Sequence, residues 1–527
     1  MEAVSTHYDP VTLNLFSSRL AAVCDEMGAI LRNAAFSPNI RDRLDFSCAI
    51  FDAQGGLCAQ AAHIPVHLGS MAFAMGGIVK RLEWRPGDQV ILNDPFLGGT
   101  HLPDVTLISP LFVEGRLLGF VANRAHHADI GGATPGSMPL SSSLEEEGLV
   151  IEPVHIVRGG RREEGIWNWI LGATGNRRSA EGDLSAQLSA NLAGVERLGQ
   201  LVKQRGVEEY QAGLDALNDY AERLSAGVLA AMPEGEYRFR DWLDDDGQGR
   251  TDIPIEVCLH LSGEKAVVDF SGTAEQVAGN VNCPLPVTAA AVYYVFRCLM
   301  PPQTPACAGA FRNIVVQAPE GSLLNARFPA AVAAGNVETS SRVVDVVMGA
   351  LARALPDRLA AASQGTMNNL AMGRSGTGGW DYYETMGGGM GASCRGDGPG
   401  AVQSHMTNTL NTPVEVLERQ FPVRVLRYAL RRGTGGAGLH RGGDGLVREF
   451  EFLQEAEFTL LTERRRHRPW GLAEGGAGAP GVNRLNGKVL PPKCHCHVSA
   501  GDRLRVETPG GGGYGRPLEE SHVRHLR

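Results

Sequence analysis

The chain has 527 residues, of which 43% are hydrophobic and 20% are charged, and its formal net charge is −9. This length exceeds what one hydrophobic core usually organises, so more than one domain is expected. The negative charge, without an arginine-rich stripe interleaved with aromatic residues, argues against a nucleic-acid partner.

The N-terminal residues and the cysteines indicate the cellular compartment of the protein. Residues 1–16 lack a basic segment followed by an apolar core, and no uncharged run approaches the ~20 residues of a membrane helix. The ten cysteines lack the dense spacing of a disulfide scaffold, which indicates reduced thiols. We therefore expect a cytoplasmic protein with no membrane association.

The first elements are a long helix and a hairpin. Apolar residues at helical spacing predict an amphipathic helix over residues 9–36 that starts at Asp9-Pro10. A hairpin follows from Phe46, turning at Gly55-Gly56, and a short helix opens near His67. The apolar positions of the long helix are Leu13, Leu15, Leu20, Val23, Met27 and Leu31.

Strands and a helical hairpin complete the N-terminal part. The segment 105–123 alternates as two strands around a turn at Glu114-Gly115. Residues 184–226 are rich in Leu, Ala, Glu and Gln and are broken near Gly206, which predicts a helical hairpin. This part of the chain, residues 1–240, is predicted to form an N-terminal metal-site domain.

The rest of the chain divides by composition. From Asp241 short alternating segments precede helices predicted over 287–299 and 343–354, and residues 330–413 are rich in Gly, Thr, Asn and Ser. These features predict a central α/β domain over 241–414 with functional loops. Strand-like runs then predict a β-rich C-terminal module over 415–527. The fold class is therefore a multidomain, mixed α/β architecture.

Three side chains with metal-ligand chemistry lie at the two ends of the predicted strand pair. His101 and Asp104 are three residues apart around Pro103, and His126 returns about 25 residues later. Two antiparallel strands would carry these ends together. Two histidines and one carboxylate suit Mn²⁺, Zn²⁺ or Fe²⁺ and leave coordination positions open. A structural His–Asp hydrogen-bond network is the alternative interpretation.

Other residues could complete such a site. Asp45, at the start of a predicted strand, is the best candidate for a fourth ligand. His127 or Asp129 could orient a ligand or act in proton transfer. His63 and His67 are four residues apart, but Pro65 argues against one shared helical face, so each could equally be a hydrogen-bonded structural residue.

Several further patterns favour structural roles. Asn336, Glu338, Arg342, His405, Asn408 and Asn411 could bind substrate, but we favour a role in holding loops together. The basic run within 463–468 is more typical of loop salt bridges than of a polyanion site. In Cys494-His495-Cys496-His497, successive side chains on a strand would alternate between faces, so the four cannot close on one ion.

Motifs distributed over nearly the whole chain resemble those of the hydantoinase B/oxoprolinase family. The family includes B-type subunits of ATP-dependent hydantoinases, 5-oxoprolinases and lactamases, and it is related to acetone carboxylases. The motifs are RDRLDFSCAIFD at 41–52, HIPVHLGSM at 63–71, NDPFLGGTHLPD at 93–104, NRAHHADIGG at 123–132, VDFSGT, GNVETSSR, SHMTNTLNTPVE and TPGGGGYG.

The resemblance implies a division of labour between two subunits. A separate A-type subunit would use ATP and Mg²⁺ to phosphorylate the substrate's carbonyl oxygen, and this chain would supply a centre with one divalent ion, Mn²⁺ or Zn²⁺. The matching ligand positions are Asp45, His101, Asp104 and His126, with His127 and Asp129 as catalytic candidates. A metal-activated water would then open the ring of the phosphorylated cyclic amide.

Two alternatives remain open at this stage. The same centre could serve an ATP-dependent ketone carboxylase, although the length of 527 residues fits the hydrolases better. A non-catalytic scaffold for the ATPase subunit is the alternative from another class. It predicts that replacing His101 or His126 leaves turnover intact.

Overall fold

The computed structural model describes residues 8–61, 63–376 and 378–517, so residues 1–7 of the N-terminal segment considered above fall outside it. The long N-terminal helix is confirmed as α1 (Pro10–Ala34). It begins with Pro10 because the Asp9 carboxylate accepts hydrogen bonds from the first free amides, those of Val11 and Thr12. Leu15 was expected among its core positions but is 57% exposed, and Phe16 is buried instead.

A seven-stranded antiparallel sheet forms the centre of the N-terminal part. Its strand order is β2-β1-β5-β4-β3-β6-β7. The strands are β1 (Phe46–Asp52), β2 (Leu57–Gln60), β3 (Gln89–Leu92), β4 (Asp104–Val113), β5 (Arg116–His126), β6 (Val154–Arg158) and β7 (Arg161–Arg162).

Helices cover both faces of this sheet. Besides α1, they are α2 (Pro38–Arg41), α3 (Pro65–Val79), α4 (Leu144–Glu147), α5 (Glu164–Ala173), α6 (Arg177–Arg205) and α7 (Val207–Ala230). Ile50 faces the core shared with α1 and α6, whereas its neighbour Phe51 faces α3. The central strands are therefore buried on both sides. The predicted break between the long helices is confirmed at Gly206, whose φ of 90° favours glycine.

A second sheet and two helices follow. The strands β8 (Gly235–Asp245), β9 (Thr251–Ser262), β10 (Lys265–Asp269) and β11 (Ile314–Gln317) pair in the order β11-β10-β9-β8. Helix α8 (Leu285–Leu299) packs on α3, and α9 (Ser340–Ala354) packs on β8 and β9. A π-helical turn over Gly335–Thr339 leads into α9. Both predicted helices of this region are confirmed.

The C-terminal part is rich in strands, with one short helix, α10 (Val414–Gln420). Its two sheets have the orders β13-β12-β16-β19 and β14-β15-β20-β17-β18. The strands are β12 (Asn369–Arg374), β13 (Trp380–Glu384), β14 (Val423–Arg431), β15 (Gly445–Phe452), β16 (Ala456–Leu461), β17 (Val482–Leu485), β18 (Lys488–Val489), β19 (Lys493–Val498) and β20 (Arg503–Glu507).

The mixed α/β class is confirmed, whereas the division into three domains stays a prediction. No helix within the described residues has the length and apolar character to cross a membrane. All ten cysteines are free thiols.

Candidate metal centre

Strand pairing brings Asp104 and His126 together. The hairpin of β4 and β5 turns at Glu114 and Gly115, and its register places Asp104 directly opposite His126. Side chains of directly paired residues leave the same face of a sheet. Asp104 Oδ1 consequently lies 3.2 Å from His126 Nδ1, and both side chains are buried.

His101 approaches from the loop before β4. Its Nε2 lies 3.3 Å from Asp104 Oδ1, while its Nδ1 lies 3.2 Å from the carbonyl oxygen of Ala333. A carbonyl can only accept, so Nδ1 carries a proton. Burial disfavours the charged ring, but the Asp104 carboxylate raises the pKa of His101, so a metal ion bound at Nε2 would replace a proton there. Within the described residues, His101 Nε2 is buried without a hydrogen-bond partner, as is His126 Nε2.

Asp45 lies beside this group, immediately before β1. Its carbonyl oxygen accepts a hydrogen bond of 3.0 Å from the His126 amide. Its carboxylate lies 3.5 Å from the Arg43 guanidinium and 3.9 Å from His67 Nε2. The structure thus gathers Asp45, His101, Asp104 and His126 in one place.

His67 also belongs to the cluster, although its sequence context favoured a ligand role no more than a structural one. Helix α3 begins at Pro65, which is well suited to the first helical position, and this start places His67 in the first turn. His67 Nε2 lies 3.2 Å from Asp104 Oδ2. His63 stays outside the helix, where its Nδ1 accepts a hydrogen bond from the Cys48 amide.

Asp104 is the electrostatic centre of the site. Thr100 Oγ1 and Asn336 Nδ2 both donate to its Oδ2, at 2.6 and 3.2 Å. Burial opposes ionisation of Asp104, but the charges of His101 and His67 hold its pKa well below the usual range. Burial lowers the pKa of His126 and keeps its ring neutral. An ionised carboxylate beside a neutral imidazole is the protonation state that metal binding requires.

The donor set fits a divalent ion. Ligands of a tetrahedral zinc ion with bonds of about 2.1 Å lie roughly 3.4 Å apart. The separations of 3.2 and 3.3 Å between Asp104 Oδ1 and the two histidine nitrogens are close to this value. The surrounding cavity measures about 20 Å³. That is room for one ion or one water molecule, since one water needs at least about 10–15 Å³.

His127 and Asp129 lie elsewhere. Because successive residues of a strand alternate in direction, His126 lies on the α3 face and His127 on the α6 face, where its Nε2 lies 2.9 Å from Gln187 Oε1. Asp129 accepts hydrogen bonds from the amides of Gly131 and Gly175. Neither side chain lines the cavity at Asp104, and their proton-transfer role stays a prediction.

Six further polar residues were considered in the sequence, and the structure places one of them at the metal centre and the others in contacts between loops. Asn336 contacts Asp104, whereas Arg342 forms an ion pair of 3.3 Å with Glu463. Glu338 accepts from Asn369 Nδ2. His405, Asn408 and Asn411 contact Tyr294, the His63 carbonyl and Glu384, respectively. These contacts join separate loops, as expected of residues that hold loops together, and Asn336 also reaches the site.

Tyr383 is a further site residue that sequence reasoning missed. Its ring stacks on His126 with 4.6 Å between ring centroids and 14° between planes. Its hydroxyl donates to Asn369 Oδ1 at 2.7 Å. No local pattern around Tyr383 predicts this contact, because it joins β13 to the end of β5.

The chain belongs to the hydantoinase B/oxoprolinase family, whose model matches residues 9–517. It is 39% identical to 5-oxoprolinase 1 of Arabidopsis thaliana over 96% of this chain, but spans only 42% of that relative's length. It is 32% identical to the putative B-type subunit of a D-/L-hydantoinase from a Pseudomonas species, covering 98% of this chain and 92% of that protein.

Solved structures agree with the fold. The ATP-dependent caprolactamase of Pseudomonas jessenii matches with a TM-score of 0.90 and 29% identity, covering 99% of this chain and 94% of that chain. An acetone carboxylase matches with a TM-score of 0.86 and 18% identity over 98% of this chain and 77% of that one. At that identity the second match shows the fold alone.

Proposed function

We propose that this chain is the metal-carrying component of an ATP-dependent cyclic amide hydrolase. The observation that carries the proposal is the buried convergence of His101, Asp104 and His126, with His101 Nε2 unpartnered among the described residues. The names of the relatives, which include a 5-oxoprolinase, a hydantoinase and a caprolactamase, support the substrate class.

The proposed ligands are Asp45, His101, Asp104 and His126. A bound Mn²⁺ or Zn²⁺ would act as a Lewis acid and lower the pKa of water. Thr100 and Asn336 orient the Asp104 carboxylate, and the stacked ring of Tyr383 holds His126 in place. The buried walls would exclude bulk water from the reacting group.

ATP is used by an A-type partner subunit in this proposal. The Pseudomonas hydantoinase relative is named as one subunit of its enzyme, which supports such a partner. Phosphorylation of the amide oxygen makes the carbonyl carbon electrophilic. One water then adds to that carbon, and the ring C–N bond breaks as the nitrogen takes up a proton, which leaves an acyl phosphate. A second water hydrolyses the acyl phosphate to the free carboxylate and inorganic phosphate.

The test is turnover by the purified complex of this chain with its A-type partner. Hydantoins, 5-oxoproline, lactams and ketones are supplied with ATP, with and without bicarbonate. We expect a ring-opened product without bicarbonate. A product formed only from a ketone with bicarbonate would identify a carboxylase and overturn the hydrolase proposal.

A further inference from the structure

The motif Cys494-His495-Cys496-His497 is split by the strand on which it lies. On β19, Cys494 and Cys496 face the apolar core beside Phe458, whereas the two histidines face the other side. The prediction that the four residues do not bind one ion together is consistent with this arrangement. The histidine pair on the second face has no part in the centre at Asp104.

A carboxylate joins this histidine pair from the neighbouring strand. The register of β16 and β19 places Glu457 opposite His497 and Thr459 opposite His495. Glu457 Oε2 lies 3.3 Å from His495 Nε2, and the two histidine rings are 5.3 Å apart. One ligand atom from each of Glu457, His495 and His497 lies within 4.8 Å of the other two.

We propose that Glu457, His495 and His497 form a second, surface site for a divalent transition metal, with Zn²⁺ as the expected ion. Two imidazoles and one carboxylate are the donors that Zn²⁺, Cu²⁺ and Ni²⁺ share. The strand β19 is the edge of its sheet and His497 is exposed, so water can fill the remaining coordination positions.

The geometry requires only a small adjustment. Zinc ligands lie roughly 3.4 Å apart in a tetrahedron, so the cluster must contract from at most 4.8 Å. The side chains of His495 and Glu457 are 27% and 18% exposed, which leaves them room to rotate. Ser375 Oγ donates to Glu457 Oε1 and leaves Oε2 directed at the histidines.

A simple ion pair between Glu457 and His495 explains less of the arrangement. It accounts for two of the three residues, and a partly exposed surface pair stabilises a protein by about 0–1 kcal/mol. It gives His497 no role, although the ring of His497 stands edge-on to that of His495 at 88°. A metal ion would engage all three side chains.

The test is a zinc titration of the metal-stripped full chain against a chromogenic chelator. We expect two zinc equivalents for the wild-type chain and one for His497→Ala, with at least a ~10-fold loss of affinity at the second site in Glu457→Gln. His440→Ala is the matched control, because His440 lies near a single carboxylate, Asp397, and it should retain both equivalents.

A further variant distinguishes zinc binding at the surface site from zinc binding at the buried centre. His101→Ala should lose the buried equivalent and keep the one that depends on His497. Zinc binding by His497→Ala that equals binding by His440→Ala would overturn the surface site whatever His101→Ala does. Since His497 lies outside the buried centre, turnover of the complex should be unchanged in His497→Ala.

Discussion

His101 and Ala333 are 232 residues apart in the chain, yet His101 Nδ1 lies 3.2 Å from the Ala333 carbonyl oxygen. The loop that supplies this carbonyl is held by the buried carboxylate of Glu147, whose Oε1 accepts from the amides of Val332 and Ala333 at 2.8 and 2.9 Å. Glu147 therefore positions His101 through one backbone segment.

Replacing Glu147 should weaken metal binding although it leaves every proposed metal-binding residue unchanged. We expect Glu147→Ala to lower metal affinity by up to about 10-fold, because the Ala333 carbonyl that contacts His101 remains and only the segment that carries it loosens. Glu147→Gln keeps an oxygen at the Oε1 position and should bind metal nearly as well as the wild-type chain. Chelator competition measures both affinities, and equal affinities in the two variants would contradict the positioning role.

Replacing His101 should remove the buried ion. We expect His101→Ala to lose at least about 100-fold in metal affinity at that site and to abolish ring opening, while ATP still binds to the partner. Metal analysis, nucleotide binding and circular dichroism of the purified complex check the three parts. Normal turnover by a folded variant lacking this ion would instead favour the scaffold role.

Glu338 should give the metal-free chain a pH-dependent stability. Burial raises the pKa of Glu338 to about 7 from its ordinary value of 4.5. As pH rises between these values the unfolded chain releases this proton first, so the free energy of unfolding falls, and the loss is complete above about pH 7. Glu338→Gln stays neutral and should become more stable than the wild-type chain by roughly 3 kcal/mol above that pH.

The measurement is urea unfolding of both chains from pH 4.5 to 8. The difference between them isolates Glu338 from other titrating groups. A difference that is constant over this pH range would show that the Glu338 carboxyl ionises normally in the folded chain.

Arg464 should matter far more for stability than its neighbour Arg466. Arg464 is fully buried and bridges Asp241, at 2.8 Å, and Asp345. Arg464→Met removes the closest cation from both buried carboxylates and leaves them Arg342, at 3.6 and 4.0 Å, which should cost about 3 kcal/mol. Arg466 is 59% exposed beside Asp252, so Arg466→Met should change the unfolding free energy by less than about 1 kcal/mol. Similar unfolding midpoints for the two variants would contradict this assignment.

These arginines also show which features of an ion pair can be predicted from the sequence. The basic run at 463–468 was interpreted as a salt-bridge set, and Arg464 confirms the kind of interaction. Its partners Asp241 and Asp345, on β8 and α9, could not be predicted, because no short-range pattern relates residues more than 100 positions apart.

What the sequence by itself determined is local. Alternation and a turn at Glu114-Gly115 predict the hairpin of β4 and β5, and hairpin geometry then brings Asp104 to His126. The N-cap at Asp9 and the break at Gly206 are local for the same reason, since backbone preferences and neighbouring hydrogen bonds decide them.

Only the tertiary structure decided what surrounds that pair. His67 enters from α3, Asn336 from the turn before α9, and Tyr383 from β13. Their positions depend on how separate elements pack, and packing is set by the burial of whole apolar faces rather than by any pattern near these residues. The contact between the ends of one hairpin can thus be predicted from the sequence, whereas the residues that enclose the site are brought there only by tertiary packing.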